Sequence, residues 1–416
     1  MTIKMSNMNL TRLYFPQIIF LISFHCSIGQ IDVNYRDNVK KAYAASSTAE
    51  CRASLKFCNE VLKAIPDHSV MNYLSARLNA QLGNRILALD QLEKATVQGY
   101  TSKMLFHELN HLNDSAFNTL RETKKFKQII KILKESEEKV HRSEIAFTID
   151  DKKLNPEGIA YDPVEKMFYL GSIDKHKIVK VDHSGKSTDF TTEGQDGLKT
   201  VLGVHVDATR RTLWACSYSR EIYKYDLTSG KLLKKYPIPA SSGEADYFND
   251  LVIHPNGDIY ISGLSTIYTI PYSSDQLKIF LAGDSFVAFN GITLTEDGST
   301  IYVSDYYIGI YKIDIRTKSF FLLPHEEGFN LIGVDGLYLL NNYLYAVQDV
   351  VNSVDRFMLN KDATRIKSCE FFERNSQYFN MPTTGVLVDD YFYFIADTQA
   401  KSHKQEGILI MRASIK

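Results

Sequence analysis

One phrase returns six times in the last two thirds of the chain. It opens on a polar residue or Gly, runs as a short alternating apolar strand, turns, and continues as a second strand rich in Tyr. The copies begin Glu157-Gly158-Ile159, Leu202-Gly203-Val204, Asn249-Asp250-Leu251, Asn290-Gly291-Ile292, Asp335-Gly336-Leu337 and Thr384-Gly385-Val386, so they recur every 41 to 49 residues. A period in the forties built only of strands is the signature of propeller blades. The chain is therefore expected to be mainly β, a six-bladed β-propeller over 141–416. The first residues of the copies stand in one register. Four of the six, Glu157, Asn249, Asn290 and Asp335, carry carboxylate or amide oxygens, and a closed ring would bring them to a common axis. Leu202 and Thr384 complete the column.

A strand-like segment precedes each copy, at 145–149, 188–192, 232–238, 278–282, 319–323 and 366–372. Each is expected to form the outer strand of the preceding blade. The first has no preceding blade, so it should pair with the last one and close the ring, which removes exposed edges. Asp162-Pro163, His254-Pro255-Asn256-Gly257, Thr295-Glu296-Asp297-Gly298 and Asn341-Asn342 supply turns between the inner two strands. Hydrophobic residues make up 44% of the chain, enough for a large core and too many for a disordered one. Tyr (25) and Phe (23) are abundant, which favours strands. A net charge of -1 gives no reason to expect nucleic acid or an anionic membrane as the main partner.

The first 140 residues have a different texture. Lys4 and Arg12 precede a largely apolar run over 13–28, and Ser27-Ile28-Gly29 places small residues at -3 and -1. Residues 1–29 are therefore expected to be a cleaved signal peptide, which implies a secreted or periplasmic protein. The run is short for a membrane span, so no integral segment is expected after cleavage. Phe24-His25 are too bulky for Cys26 to sit in a lipoprotein box. From 30 to 140, apolar residues recur at helical spacing among Ala, Leu, Lys and Glu. Ile65-Pro66-Asp67 and Leu82-Gly83-Asn84 break the pattern, and Pro66 lies 33 residues before Gly99. Ala80-Gln81-Leu82-Gly83-Asn84 with Ala88, Leu92 and Ala95 resembles a tetratricopeptide repeat, whose characteristic first-helix Trp and Gly are absent. A generic stack of helical hairpins fits equally well. Either would serve packing or contact with a protein partner, and either is expected to be separable from the axial chemistry. Cys51 and Cys58 fall seven apart on one helix, about 10 Å of rise, too far for a disulfide. The cysteines after residue 30 are expected to be buried thiols.

Leu154-Asn155-Pro156-Glu157-Gly158-Ile159, Phe248-Asn249-Asp250, Phe289-Asn290-Gly291-Ile292, Tyr302-Val303-Ser304-Asp305 and Val334-Asp335-Gly336-Leu337 resemble the gluconolactonase/regucalcin (senescence marker protein) propellers. That family comprises calcium-linked lactone hydrolases, related in architecture to paraoxonases and to a squid phosphotriesterase. The resemblance covers about 150–400. It implies Glu157, Asn290 and Asp335 as direct metal ligands, Asn249 as the residue that holds a water or the substrate, and Asp335 also as the general base. Independently of the family, two carboxylates and two amides form a hard oxygen set. Such a set suits Ca²⁺ first, with Mn²⁺, Mg²⁺ or Zn²⁺ as alternatives. The bland reading of the same residues is that they satisfy axial waters and loop amides.

Two departures bear on the substrate. Sugar-lactone hydrolases of the family often carry an Arg where this chain has Tyr247, which cannot act as a charged clamp. The His that paraoxonases place in the second blade is replaced by Leu202, and His205 is expected to be a packed strand residue. Tyr247 is thus a candidate substrate contact for an uncharged or aromatic lactone or ester, with Phe248, Phe286 and Phe289 adding apolar surface. His107-Glu108-Leu109-Asn110-His111 matches the zinc-protease pattern, but no third ligand or edge strand accompanies it, and an ordinary solvated helix face is expected. Three functions stay open: a metal-dependent lactonase or esterase acting on a small molecule, a non-catalytic binding propeller, and an assembly factor working through its helices.

Overall fold

The computed structural model describes residues 35–99, 114–243, 246–283, 286–398 and 407–416. The expected signal peptide over 1–29 and the His-Glu-Leu-Asn-His pattern at 107–111 lie outside the described residues.

Six antiparallel sheets form six blades. Their inner strands are Pro156–Asp162, Val201–Asp207, Phe248–Ile253, Phe289–Leu294, Val334–Leu340 and Gly385–Val388. Each expected outer strand is present in its expected blade. The ring closes as the pattern requires: Ser143–Ile149 pairs with Ile408–Ser414, putting the first strand of the propeller on the last blade. One addition was not legible in the repeat. Val140–His141 pairs with Ile366–Arg374 and gives blade 5 a fifth strand.

The inner strands owe their shape to one recurring device. Strand pairing slips at the axial residue in five blades, between Pro156 and Ile159, Val201 and Val204, Phe248 and Leu251, Phe289 and Ile292, and Val334 and Gly336. Such a bulge turns the extra side chain out of the sheet. The residue after it is usually Gly because the next blade leaves no room. A Cβ on Gly158 would stand 2.3 Å from the carbonyl oxygen of Leu202, and one on Gly291 would stand 2.5 Å from the amide nitrogen of Leu337. Blade 3 has Asp250 at this position, and its side chain folds back to accept from the Leu251 amide at 2.8 Å. Thr383 and Thr384 donate their hydroxyls to the carbonyl of Glu157, at 3.0 and 2.5 Å, joining blade 6 to blade 1.

The helical segment contains α1 (Tyr35–Ala44), α2 (Thr48–Ala64), α3 (Ser69–Gln81), α4 (Arg85–Val97), a 3₁₀ turn (Ser115–Leu120) and α5 (Lys124–Glu135). Ser47 and Glu50 make a reciprocal capping box at the start of α2. The Pro66 and Gly83 breaks fall between helices as expected. Cys51 and Cys58 are buried, unbridged thiols on α2, and Cys216 and Cys369 are likewise unbridged. Helix α3 is buried on every side from Ser69 to Ala80. It carries Arg77, whose charge is matched by Asp114 at 3.0 Å, and Tyr73 donates to the same carboxylate at 2.9 Å. A buried pair of this kind is tolerated because further hydrogen bonds, here from Arg77 to the carbonyls of Ala42 and Ala45, complete it.

This segment supplies no residue to the axial column, yet it is not an appendage. Val39, Met71, Leu74 and Leu78 belong to one hydrophobic cluster with Tyr260, Phe280, Phe286 and Tyr307 of blades 3 and 4. The Tyr35 ring lies 5.3 Å from that of Tyr307 and is held by His68 at 2.8 Å. Two backbone-level clasps add to the seam: Gly328 donates to Val97 at 2.7 Å, and the Asn330 amide donates to Gly99 at 2.7 Å. The expectation of a separable helical module gives way to a shared core, because large apolar side chains of blades 3 and 4 find their burial against the helices.

A chain beginning at residue 141 should therefore be less stable than the full chain by several kcal/mol, since each large apolar side chain uncovered costs about 1.5–3 kcal/mol. Thermal denaturation of the two proteins checks this, and equal midpoints would refute the shared-core reading.

Candidate functional site

The bulges deliver Glu157, Asn249, Asn290 and Asp335 to the axis with 3–4% of their surface exposed. Their backbones are fixed by the neighbouring blades. Ser262, for example, accepts from the Asp250 amide at 3.0 Å and donates to the carbonyl of Asn290 at 2.6 Å. The Asn290 side-chain amide acts on the Asp335 carboxylate and favours its ionised form. Two oxygens remain without a partner although both are buried: Oε1 of Glu157 and Oδ1 of Asp335. Buried polar atoms are almost always paired, so two orphaned carboxylate oxygens in one place call for a ligand.

The electrostatics agree with the geometry. Burial, then the carboxylates of Asp349 and Asp250, pushes Glu157 up to about 8. Burial, then Glu157 and Asp349, holds Asp335 well above the carboxylate range, and the Asn290 amide only partly opposes this. The charged groups that act most on both residues are carboxylates. Desolvation and like charge both disfavour the ionised forms, and a bound cation would relieve both. Among the described residues no three His, Cys, Asp or Glu side chains are grouped to hold a metal. The axial set differs in kind, with two carboxylates completed by amide oxygens. That composition fits a hard divalent ion.

The other column residues do different work. Leu202 is buried in the core of blades 2 and 3. Thr384 spends its hydroxyl on ring closure. His205 pairs with Asp250 at 3.0 Å across blades 2 and 3, a packed strand histidine as expected. Tyr247 is half-buried and meets the Tyr218 ring at 5.3 Å. The expected apolar surface from Phe248, Phe286 and Phe289 is not at the axis. All three are core residues, with Phe286 and Phe289 packed 4.6 Å apart between blade and helices. The aromatic groups beside the column are tyrosines: Tyr218, Tyr247, Tyr306 and Tyr307.

Asp349 was missed by the repeat, since it stands outside the register column. The hairpin offers a signal: Gln348 pairs with Val334, so Asp349 must lie near the turn that leads into Asp335. Two surface grooves, of about 570 and 430 Å³, run along α5 and its seam with the propeller. Neither contains an axial residue or an orphaned carboxylate, so the chemistry points to the axis.

Residues 155–319, which span blades 1 to 4, match the SMP-30/Gluconolactonase/LRE-like region family. No curated protein matches the sequence. Among solved structures, a gluconolactonase from Xanthomonas campestris is similar at 14% identity and TM-score 0.49, over 67% of this chain and 97% of its own. A calcium-binding regucalcin from Agrobacterium tumefaciens is similar at 15% identity and TM-score 0.48, over 65% and 93%. So is a PQQ-bound aldose sugar dehydrogenase from Streptomyces coelicolor, at 13% identity and TM-score 0.48, over 65% and 97%.

A carboxylate whose folded pKa is raised favours the fold while protonated, and that contribution is lost as pH rises from the unfolded value through the folded one. For Glu157 the window runs from 4.5 to about 8. In chelator, the protein should lose stability across that window by a few kcal/mol, at about 1.4 kcal/mol for each pH unit between the two values. Asp305 and Asp355, pushed by burial to about 6 and 7, contribute in the same direction. The difference between wild type and Glu157→Gln isolates the axial part. Parallel denaturation curves against pH for the two proteins would refute it.

Proposed function

We propose that this chain is a divalent-metal-dependent hydrolase of lactones or esters, acting at the propeller axis. The observation that carries the reading is the pair of buried, unpartnered carboxylate oxygens on Glu157 and Asp335 beside the Asn290 amide. Glu157, Asn290 and Asp335 would hold the ion, Ca²⁺ in the first instance. When bound, it supplies a Lewis acid that polarises an ester carbonyl and acidifies water. Asp335 accepts the proton of the attacking water, whose oxygen bonds to the carbonyl carbon as the ring or ester C–O bond breaks, and the proton passes to the departing alkoxide. The Asn290 amide, which acts on Asp335, would favour the ionised form that the base needs. Asn249 and Tyr247 would face the substrate. The match to the SMP-30/Gluconolactonase/LRE-like region supports this class of substrate.

Calorimetry should show chelator-reversible Ca²⁺ binding, strongly weakened by Glu157→Gln and by Asp335→Asn. A kinetic panel of lactones and esters should show turnover that Asp335→Ala abolishes. Uncharged or aromatic substrates should be preferred to acidic sugar lactones, mainly through KM, and Tyr247→Arg should shift that preference toward the acidic ones. Absence of any Asp335-dependent turnover would leave a binding propeller with a structural ion in place of the hydrolase.

Export through the segment 1–29 would place this activity in the periplasm or outside the cell. Among the described residues no helix is long and apolar enough to cross a membrane. The mature protein isolated from its producing cells should begin at Gln30, and an intact Met1 terminus would refute export.

A further inference from the structure

The level just outside the axial residues is set by the backbone. In blades 1, 2 and 4 the residue that follows the second strand donates its amide to the carbonyl two residues before the axial position. Ile173, after Met167–Ser172, donates to Asn155 at 3.0 Å. Tyr218, after Thr212–Ser217, donates to Thr200 at 2.9 Å, and Tyr306, after Thr300–Asp305, donates to Ala288 at 2.8 Å. These three positions rim the ring at the end where the inner strands begin, which is the end that carries Glu157, Asn249, Asn290 and Asp335. The side chain of Tyr306 runs along this rim and donates its hydroxyl to both oxygens of Asp349, at 2.8 Å each. Blade 2 is different in that it offers no oxygen side chain to the axis, because Leu202 stands there and is buried in the core. Its rim residue is Tyr218.

Tyr218 is 36% exposed and belongs to none of the hydrophobic clusters among the described residues. A lone exposed aromatic side chain is ordinary. This one is not alone, since its ring stands 5.3 Å from that of Tyr247, with the two planes 49° apart. Tyr247 precedes the axial Asn249 by two residues and packs both on the core of blades 2 and 3 and on the cluster shared with the helices. Its backbone is held by the buried carboxylate of Asp246. Oδ1 of Asp246 accepts the amides of Tyr247 at 2.9 Å and Leu264 at 2.7 Å, and Oδ2 accepts the Tyr268 hydroxyl at 2.5 Å. One ring is thus anchored, and the other leans on it from a fixed backbone. A Tyr ring gives a large contact area for two side-chain torsions, so the pair offers an aromatic surface at low entropic cost.

We propose that Tyr218 is a specificity-determining residue, and that with Tyr247 it forms a platform on which a flat aromatic ring of the substrate stacks beside the axial oxygens. The proposal rests on the hydrolase reading for its reaction and narrows the substrate to lactones and esters whose carbonyl group is attached to an aromatic ring system. Such a ring covers the face of Tyr218 that is open to water, and it meets two rings already inclined to each other in the way aromatic groups prefer.

The test uses the full chain with Ca²⁺ and a matched pair of lactones, dihydrocoumarin and δ-valerolactone, which differ by a fused benzene ring. Tyr218→Ala should raise KM for dihydrocoumarin about tenfold, with kcat unchanged, and leave δ-valerolactone unaffected. Tyr218→Phe keeps the ring and should behave as wild type. The corresponding lactams, dihydroquinolinone and δ-valerolactam, resist hydrolysis and report binding alone. By calorimetry Tyr218→Ala should weaken only the aromatic lactam. An unchanged KM for dihydrocoumarin in Tyr218→Ala, or equal losses on both lactones, would overturn the platform and leave the hydrolase reading standing. A wild type that hydrolyses neither lactone but binds the aromatic lactam through Tyr218 would overturn the hydrolase reading and keep the platform. A wild type that neither hydrolyses the lactones nor binds the lactams would overturn both.

Discussion

Neighbouring inner strands meet at the axis at backbone-contact distance, and most of the architecture follows from that. Where Leu202 and Leu337 lie across from Gly158 and Gly291, a single added methyl group would overlap main-chain atoms. The bulge before each such Gly is the companion device, because it releases one side chain from the sheet at the level where six strands converge. Tight approach and polar display are thus the same feature. A ring loose enough to tolerate side chains at every position would also hold its axial residues apart.

Blade 3 shows what happens when the device is altered. Asp250 takes the Gly position and must place a carboxylate in the narrowest part of the ring. It does so by bonding its own next amide and His205. The negative charge it brings adds to that of Glu157, Asp335 and Asp349. Burial and mutual repulsion of these groups oppose folding of the empty site, and Arg77–Asp114 in the helical layer shows the contrast. There a buried charge has its opposite within 3.0 Å, whereas the charged groups that act most on Glu157 and Asp335 are carboxylates.

The helices change how the propeller is to be understood. Tyr35 and His68 reach Tyr307, Tyr307 meets Tyr306, and Tyr306 holds Asp349. The helical layer is therefore two ring contacts and one hydrogen bond away from Asp349. It shapes the surroundings of the site without donating a residue to it. Phe286 and Phe289 serve this seam by filling the space between blade and helix, which is why they are absent from the mouth.

Period, alternation and turn residues are local properties, so the number of blades, the strand that closes the ring and the axial positions of Glu157, Asn249, Asn290 and Asp335 were all legible in the chain. The helix breaks at Pro66 and Gly83 were legible for the same reason, since Pro fixes φ and lacks an amide donor while Gly readily takes the positive φ that ends a helix, as Gly83 does. What lies between elements was not legible. Asp349 has no repeat register, and its tie to Tyr306 spans 43 positions along the chain and two blades in space. The fate of Phe248, Phe286 and Phe289 depended on which surface covers each ring, and apolar character alone does not say whether that surface is a ligand or a helix. The sequence by itself determined the ring and its axial display, through repeated short-range patterns. Only the tertiary structure decided which charges face one another and what the helices cover, because both depend on distances between segments that share no pattern.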